Sequence, residues 1–155
     1  MAFDPSYGSP AAMNDARTQA VELYRHQSWK ARMRRLWARI TRTSGQLQSL
    51  CSGTHTGSGR QGAYVGMRTI AIETICGSEE RAEDFDNLFR PLSEHNRERW
   101  LSVAEARLRG VSMPPVQLIE LCGRYFVRDG HHRISVAQAL GESYVDAEVV
   151  RWQMR

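Results

Sequence analysis

The residues best suited to chemistry stand side by side: Arg128, Asp129, Gly130, His131, His132 and Arg133. Apolar residues 125–127 precede them, and Ile134, Ala137 and Leu140 follow at helical spacing, so the run is predicted to join a strand end to a helix start. The first N–H groups of a helix lack intrahelical partners and its dipole is positive there, which suits an anion. Gly130 permits a tight turn and close backbone approach, while Arg133 and the histidines supply donors, as a phosphate group requires. Two other uses stay open. Asp129 could cap the helix with Arg133 paired to a surface acid and the histidines solvated, or Asp129, His131 and His132 could bind a metal in a nuclease. Neighbouring helical side chains diverge by about 100°, so one ion would need ligands from elsewhere, and no metal site is expected.

Other reactive side chains are scattered. His26, His55 and His95 are unclustered surface candidates, and Cys51, Cys76 and Cys122 form neither a disulfide framework nor a C-x-x-C zinc half-site. Cys76 and Cys122 are expected to pack as small apolar residues. Adjacent Glu79 and Glu80 read as a solvated turn near a helix start, where acids are favourable.

The elements that must position the turn follow from periodicity. Residues 1–13 carry two prolines, a glycine and no period, and are expected to be disordered. Residues 14–50 read as a basic amphipathic helical segment, with His26 to Ser28 as the candidate place for a break. Leu23, Tyr24, Trp29, Met33, Leu36, Trp37 and Ile40 lie on one side and Arg25, Arg32, Arg35, Arg39 and Arg42 on the other. Trp29, Trp37 and Trp100 are expected to pack rather than stack on bases. Residues 51–66, rich in Gly, Ser and Thr, read as a flexible linker, and the folded domain is expected over 67–155. Within it a strand over 68–75 and a turn over 76–80 precede a short helix carrying Phe85, Leu88 and Phe89. A longer helix follows, with Ser93 as its N-cap and Gly110 as its stop. Strands over 116–121 and 125–127, a helix ending at Gly141 and an alternating strand around Val145, Ala147 and Val149 complete the order β-α-α-β-β-α-β.

Bulk properties narrow the partners. The 155 residues suit one α+β domain plus an appendage, and no apolar run reaches the about 18 residues that a membrane span needs, so a cytoplasmic protein without a membrane partner is expected. The net charge of +4 is uneven, +7 through Ile70 and −3 beyond it. An N-terminal half so basic suits a polyanion, with Arg32, Arg35, Arg39 and Arg42 as candidate DNA contacts, although its tryptophan and leucine side also suits packing on the sheet or pairing with a second copy.

The stretch from Tyr125 through Arg133 to Gly141, with its Asp-Gly-His-His-Arg turn, resembles the signature of ParB-like N-terminal domains, a superfamily that includes sulfiredoxin and the free-serine kinases. Gly77-Ser78-Glu79-Glu80-Arg81 ahead of Asp84-Phe85 is similar to the upstream stretch where ParB proteins carry an arginine. The resemblance implies a small ParB/sulfiredoxin-like mixed sheet with helices, covering a little over half the chain. It also implies that Asp129, Gly130, His131, His132 and Arg133, with Arg81, hold the phosphates of ATP, CTP or ADP with Mg²⁺. Glu79 or Glu80 matches the serine kinases' glutamate after the first strand, making these and His131 the candidate catalytic residues of an NTPase or phosphotransferase. A histidine stands where sulfiredoxin has its reactive cysteine, which argues against sulfinic-acid chemistry, and the helix-turn-helix domain usual in ParB proteins is not expected. The alternatives are a DNA-binding regulator switched by nucleotide and a ParB-like nuclease.

Overall fold

Apolar residues alternate along Val145, Ala147 and Val149, and two strands pair with that segment on either side. The computed structural model describes residues 10–41, 47–50, 61–80 and 82–153. Its elements are α1 (Pro10–Thr41), β1 (Gln48–Ser49), β2 (Gln61–Ala71), β3 (Ile75–Ser78), α2 (Arg97–Leu108), β4 (Val116–Leu121), β5 (Arg124–Asp129), α3 (His131–Ala139) and β6 (Tyr144–Gln153). The six strands form one mixed sheet in the order β1-β3-β5-β4-β6-β2. β3 runs parallel to β1 and β5, β4 parallel to β6, and the β4–β5 and β2–β6 pairs are antiparallel. The α+β class is as the sequence predicts.

One face of the sheet and the helices enclose the main core. Ile70, Ile72, Ile75, Leu118, Val127 and Val149 meet Trp100, Leu101, Ile134 and Val136 there, and Ala20 and Tyr24 of α1 join them. Trp100 is fully buried, yet its indole N–H donates to Ser135 Oγ at 2.8 Å and its ring meets Tyr24 edge-on, so the largest core side chain leaves no polar atom stranded. Leu50, Ile119 and Phe126 make a smaller cluster on the opposite face, with Cys76 and Trp152 against it.

Several elements differ from the sequence-based expectation. α1 is continuous through His26 to Ser28, stops at Thr41 and is followed by β1, so residues 14–50 are not one helical segment. It docks through the small residues Ala16, Ala20 and Ala31 with Tyr24 and Ser28. That leaves Trp29 and Trp37, expected to pack, at 60% and 61% exposure. β2 begins at Gln61, inside the expected linker, because a ladder with β6 satisfies the backbone that Gly62 and Gly66 would otherwise leave loose. The strand expected over 68–75 is two strands at different places in the sheet, separated by a 3₁₀ turn at Ile72–Thr74, and the expected turn over 76–80 is largely β3.

The expected helix at Phe85, Leu88 and Phe89 is a knot of turns. Asp86 Oδ1 accepts from the N–H groups of Leu88 and Arg90, each at 2.9 Å, offering the backbone an alternative to helical bonds, and Phe89 sits at φ 53°. Phe85 and Phe89 are nonetheless buried, so their helical spacing reported burial rather than helix. α2 starts at Arg97, after a 3₁₀ turn at Glu94–Asn96, and Ser93 makes no capping bond to it. Gly110 and Gly141 end their helices at φ 76° and 80°, as expected. Cys122 is exposed rather than packed: with Gly123 it forms the tight β4–β5 turn, both residues at positive φ. The disordered start expected over residues 1–13 is corrected at residues 10–13, which are the first turn of α1, while residues 1–9 and linker residues 51–60 lie outside the described residues.

Candidate phosphate-binding turn

β5 and β3 lie side by side and parallel, so both carboxyl ends open toward the start of α3. Such a strand-end crevice is where open α/β sheets place ligands. Gly130 joins β5 to α3 in the left-handed region, φ 102° and ψ 20°, and a Cβ there would lie 2.6 Å from Val116 Cγ1. Glycine is therefore required both by conformation and by the strand beneath. Ile134 N–H donating to Gly130 C=O opens the helical ladder, so residues 131–133 form the first turn, at the positive end of the α3 dipole.

The turn is tied to the end of β3. His131 Nε2 and Ser78 Oγ are 2.7 Å apart in the interior. Glu80 N–H donates to the same hydroxyl at 3.3 Å, and Glu79 N–H donates to Val127 C=O at 2.9 Å. These contacts bring Glu79 and Glu80 beside a turn about 50 residues later in the chain. Their carboxylates are placed differently: Glu79 pairs with Arg128 Nε at 2.9 Å, whereas Glu80 is exposed. The Arg128 guanidinium also lies 5.3 Å from the centre of the Trp152 ring.

Both histidine rings are buried, at 5% and 6% exposure. Phe85 holds them, nearly parallel to His131 at 5.9 Å and edge-on to His132 at 5.5 Å. The ring of His131 therefore serves as a strut between α3, β3 and Phe85, where the sequence reading expects a donor to phosphate or, in its alternative, a solvated side chain.

Arg133 is committed as well. Its Nη1 donates to the carbonyls of Pro114 and Pro115, each at 2.7 Å, and its Nη2 to Asp129 at 2.6 Å. The guanidinium staples the chain entering β4 to the end of β5, so its help to an anion is less direct than the sequence suggests. Asp129 takes this ion pair and does not cap α3.

Ser78, Phe85 and Asp86 complete the site; Ser78 and Phe85 lie in the Gly77 to Phe85 stretch, whose resemblance assigns them no role, and Asp86 lies just past it. Buried Asp86 organises the turn that presents Phe85; burial pushes its carboxyl above the usual carboxylate range, against the Leu88 and Arg90 N–H bonds that pull the other way. The remaining candidates are dispersed. Arg35 and Arg39 are exposed on α1, Arg32 is paired with Glu94, and Arg42 and Arg81 lie outside the described residues. Among the described residues no group of three His, Cys, Asp or Glu is placed to hold a metal ion, and no helix is long and apolar enough to cross a membrane.

The chain matches no protein-family model, no curated protein and no solved structure. The functional reading accordingly rests on the residues and their arrangement.

Proposed function

We propose that the protein binds a nucleoside di- or triphosphate at the Asp129 to Arg133 turn, in the manner of ParB/sulfiredoxin-like domains, and hydrolyses it or transfers a phosphoryl group. The observation that carries this reading is the Ser78–His131 bond, because with the Glu80 N–H bond to the same hydroxyl it fixes the Glu79-Glu80 segment beside a glycine-hinged helix N-terminus. The α3 dipole and the backbone of residues 131–133 would hold the phosphates, and the Mg²⁺ that accompanies a nucleotide would supply further neutralisation of their charge. Glu80 is the better general base of the two acids, since Glu79 is bound to Arg128. It would take the proton of an attacking hydroxyl or water while charge builds on the phosphoryl oxygens beside the helix end.

The test is titration of ATP, CTP, GTP and ADP with Mg²⁺, read by calorimetry, by backbone amide shifts and by product analysis. Binding with the largest shifts at Gly130, His131 and His132, and turnover lost in Glu80→Gln with binding kept, is the expected result. Binding without product would make the site a switch. No shift at these amides with any of the four nucleotides would overturn the reading. The alternative, a DNA-associated regulator, rests on Arg35 and Arg39, exposed on α1, and predicts DNA binding that weakens steeply with salt.

A further inference from the structure

Trp29, Met33, Leu36, Trp37 and Ile40 recur at i, i+4, i+7, i+8 and i+11 along α1, and they are 38% to 70% exposed. At about 100° per residue they make one stripe opposite the Ala16, Ala20, Tyr24 and Ser28 face that docks on the domain. By the same angles Lys30 borders the stripe on one side and Arg25, Arg32 and Arg39 on the other, Arg32 being paired with Glu94. No acid occurs from Leu23 to Thr41. The end of this helix therefore presents an apolar ridge with Lys30 at one edge and arginines along the other.

We propose that this ridge lies on a bilayer surface carrying anionic lipid, independently of any nucleotide at the α3 turn. The ridge needs an occupant that is apolar in the middle and negative at the edges, and an anionic bilayer is both. Two tryptophans among its five members suit the headgroup boundary, where an amphipathic ring is favoured. A second copy would set cation rows against identical rows with no acid between them. Duplex DNA would meet the cations and leave the ridge in water. The chain's own neighbouring segments offer little cover: residues 42–46 and 51–60 contain Cys51 as their one apolar side chain.

The experiment uses the full chain with vesicles of phosphatidylcholine containing about one-third phosphatidylglycerol, and with pure phosphatidylcholine as the neutral control. Co-sedimentation with the anionic vesicles and a blue shift of tryptophan emission are expected, with weak binding to the neutral ones. Leu36→Asp with Ile40→Asp should weaken the partition at least tenfold while the circular dichroism spectrum stays that of the wild type, as both residues are exposed. Lys30→Gln and Arg39→Gln should each weaken it about fivefold. Absence of vesicle binding, or binding that survives the aspartates, overturns the proposal. So does duplex DNA binding that the aspartates leave intact when vesicles are not bound, or a lipid-free dimer that they disperse.

Discussion

Asp86 shows how one buried side chain shapes the candidate site from behind it. Its Oδ1 accepts two N–H bonds while Oδ2 has no hydrogen-bond partner among the described residues and lies 4.0 Å from Arg90 Nη1. Such an arrangement fits a carboxyl that keeps its proton more readily in the folded protein than in the unfolded chain. The native state then binds more protons than the unfolded state, and the contribution of Asp86 to stability declines as pH rises from the ordinary carboxylate value of about 3.9 through the raised native one. Asp86→Asn, permanently neutral, should therefore gain on the wild type with rising pH, and parallel urea-denaturation profiles of the two would contradict this. Arg133 carries a different load. Arg133→Ala frees two proline carbonyls and Asp129 at once and should cost about 2–3 kcal/mol in the same assay. Arg133→Lys should restore less than half, since an ammonium lacks the planar fork. Loss of nucleotide binding in Arg133→Ala is thus uninformative unless folding is checked, which is why the amide shifts are the better probe.

At the level of elements, the short strand β1 is the piece that attaches the N-terminal region to the sheet. Among the described residues it pairs through Gln48 and Ser49, opposite Gly77 and Ser78 of β3, and Leu47 and Leu50 on either side are buried in the two separate cores. Gly77 makes the pairing possible: a Cβ there would stand 2.2 Å from Gln48 C=O and 2.7 Å from Phe126 Cδ1. Gly77→Ala should displace β1 and cost about 2–3 kcal/mol, with faster amide exchange at Gly77 and Ser78 than in the wild type. An unchanged exchange pattern would mean that β3 shifts instead. Because Ser78 adjoins this contact and holds His131, the same substitution is expected to loosen the candidate site.

Over the whole molecule, α1 and β1 share one core with β2–β6, so they are no appendage. Ala20, Tyr24 and Leu47 touch the side chains that pack against Trp100, and Arg17 ties α1 to Glu98 and Glu105 of α2. Unfolding should accordingly be a single transition, with helix content by circular dichroism and tryptophan emission falling at the same urea concentration. An earlier loss of helix would show α1 melting alone. How far this was legible from residues 1–155 differs from place to place. The strand-to-helix turn at Gly130, the alternation of β6 and the glycine stops of two helices were visible in the sequence, because each depends on local sterics or on a period within a few residues. The strand at 61–66 was hidden, since glycines permit many conformations and only the ladder with β6 selects one. Helical spacing at Phe85, Leu88 and Phe89 misled because burial, not helix, set it. The tertiary structure alone decided that Ser78 and Phe85 seat His131, that Arg133 is consumed by two proline carbonyls, and that the apolar stripe of α1 faces outward. Each of those depends on which distant surface arrives first at a side chain, and a linear sequence does not contain that distance.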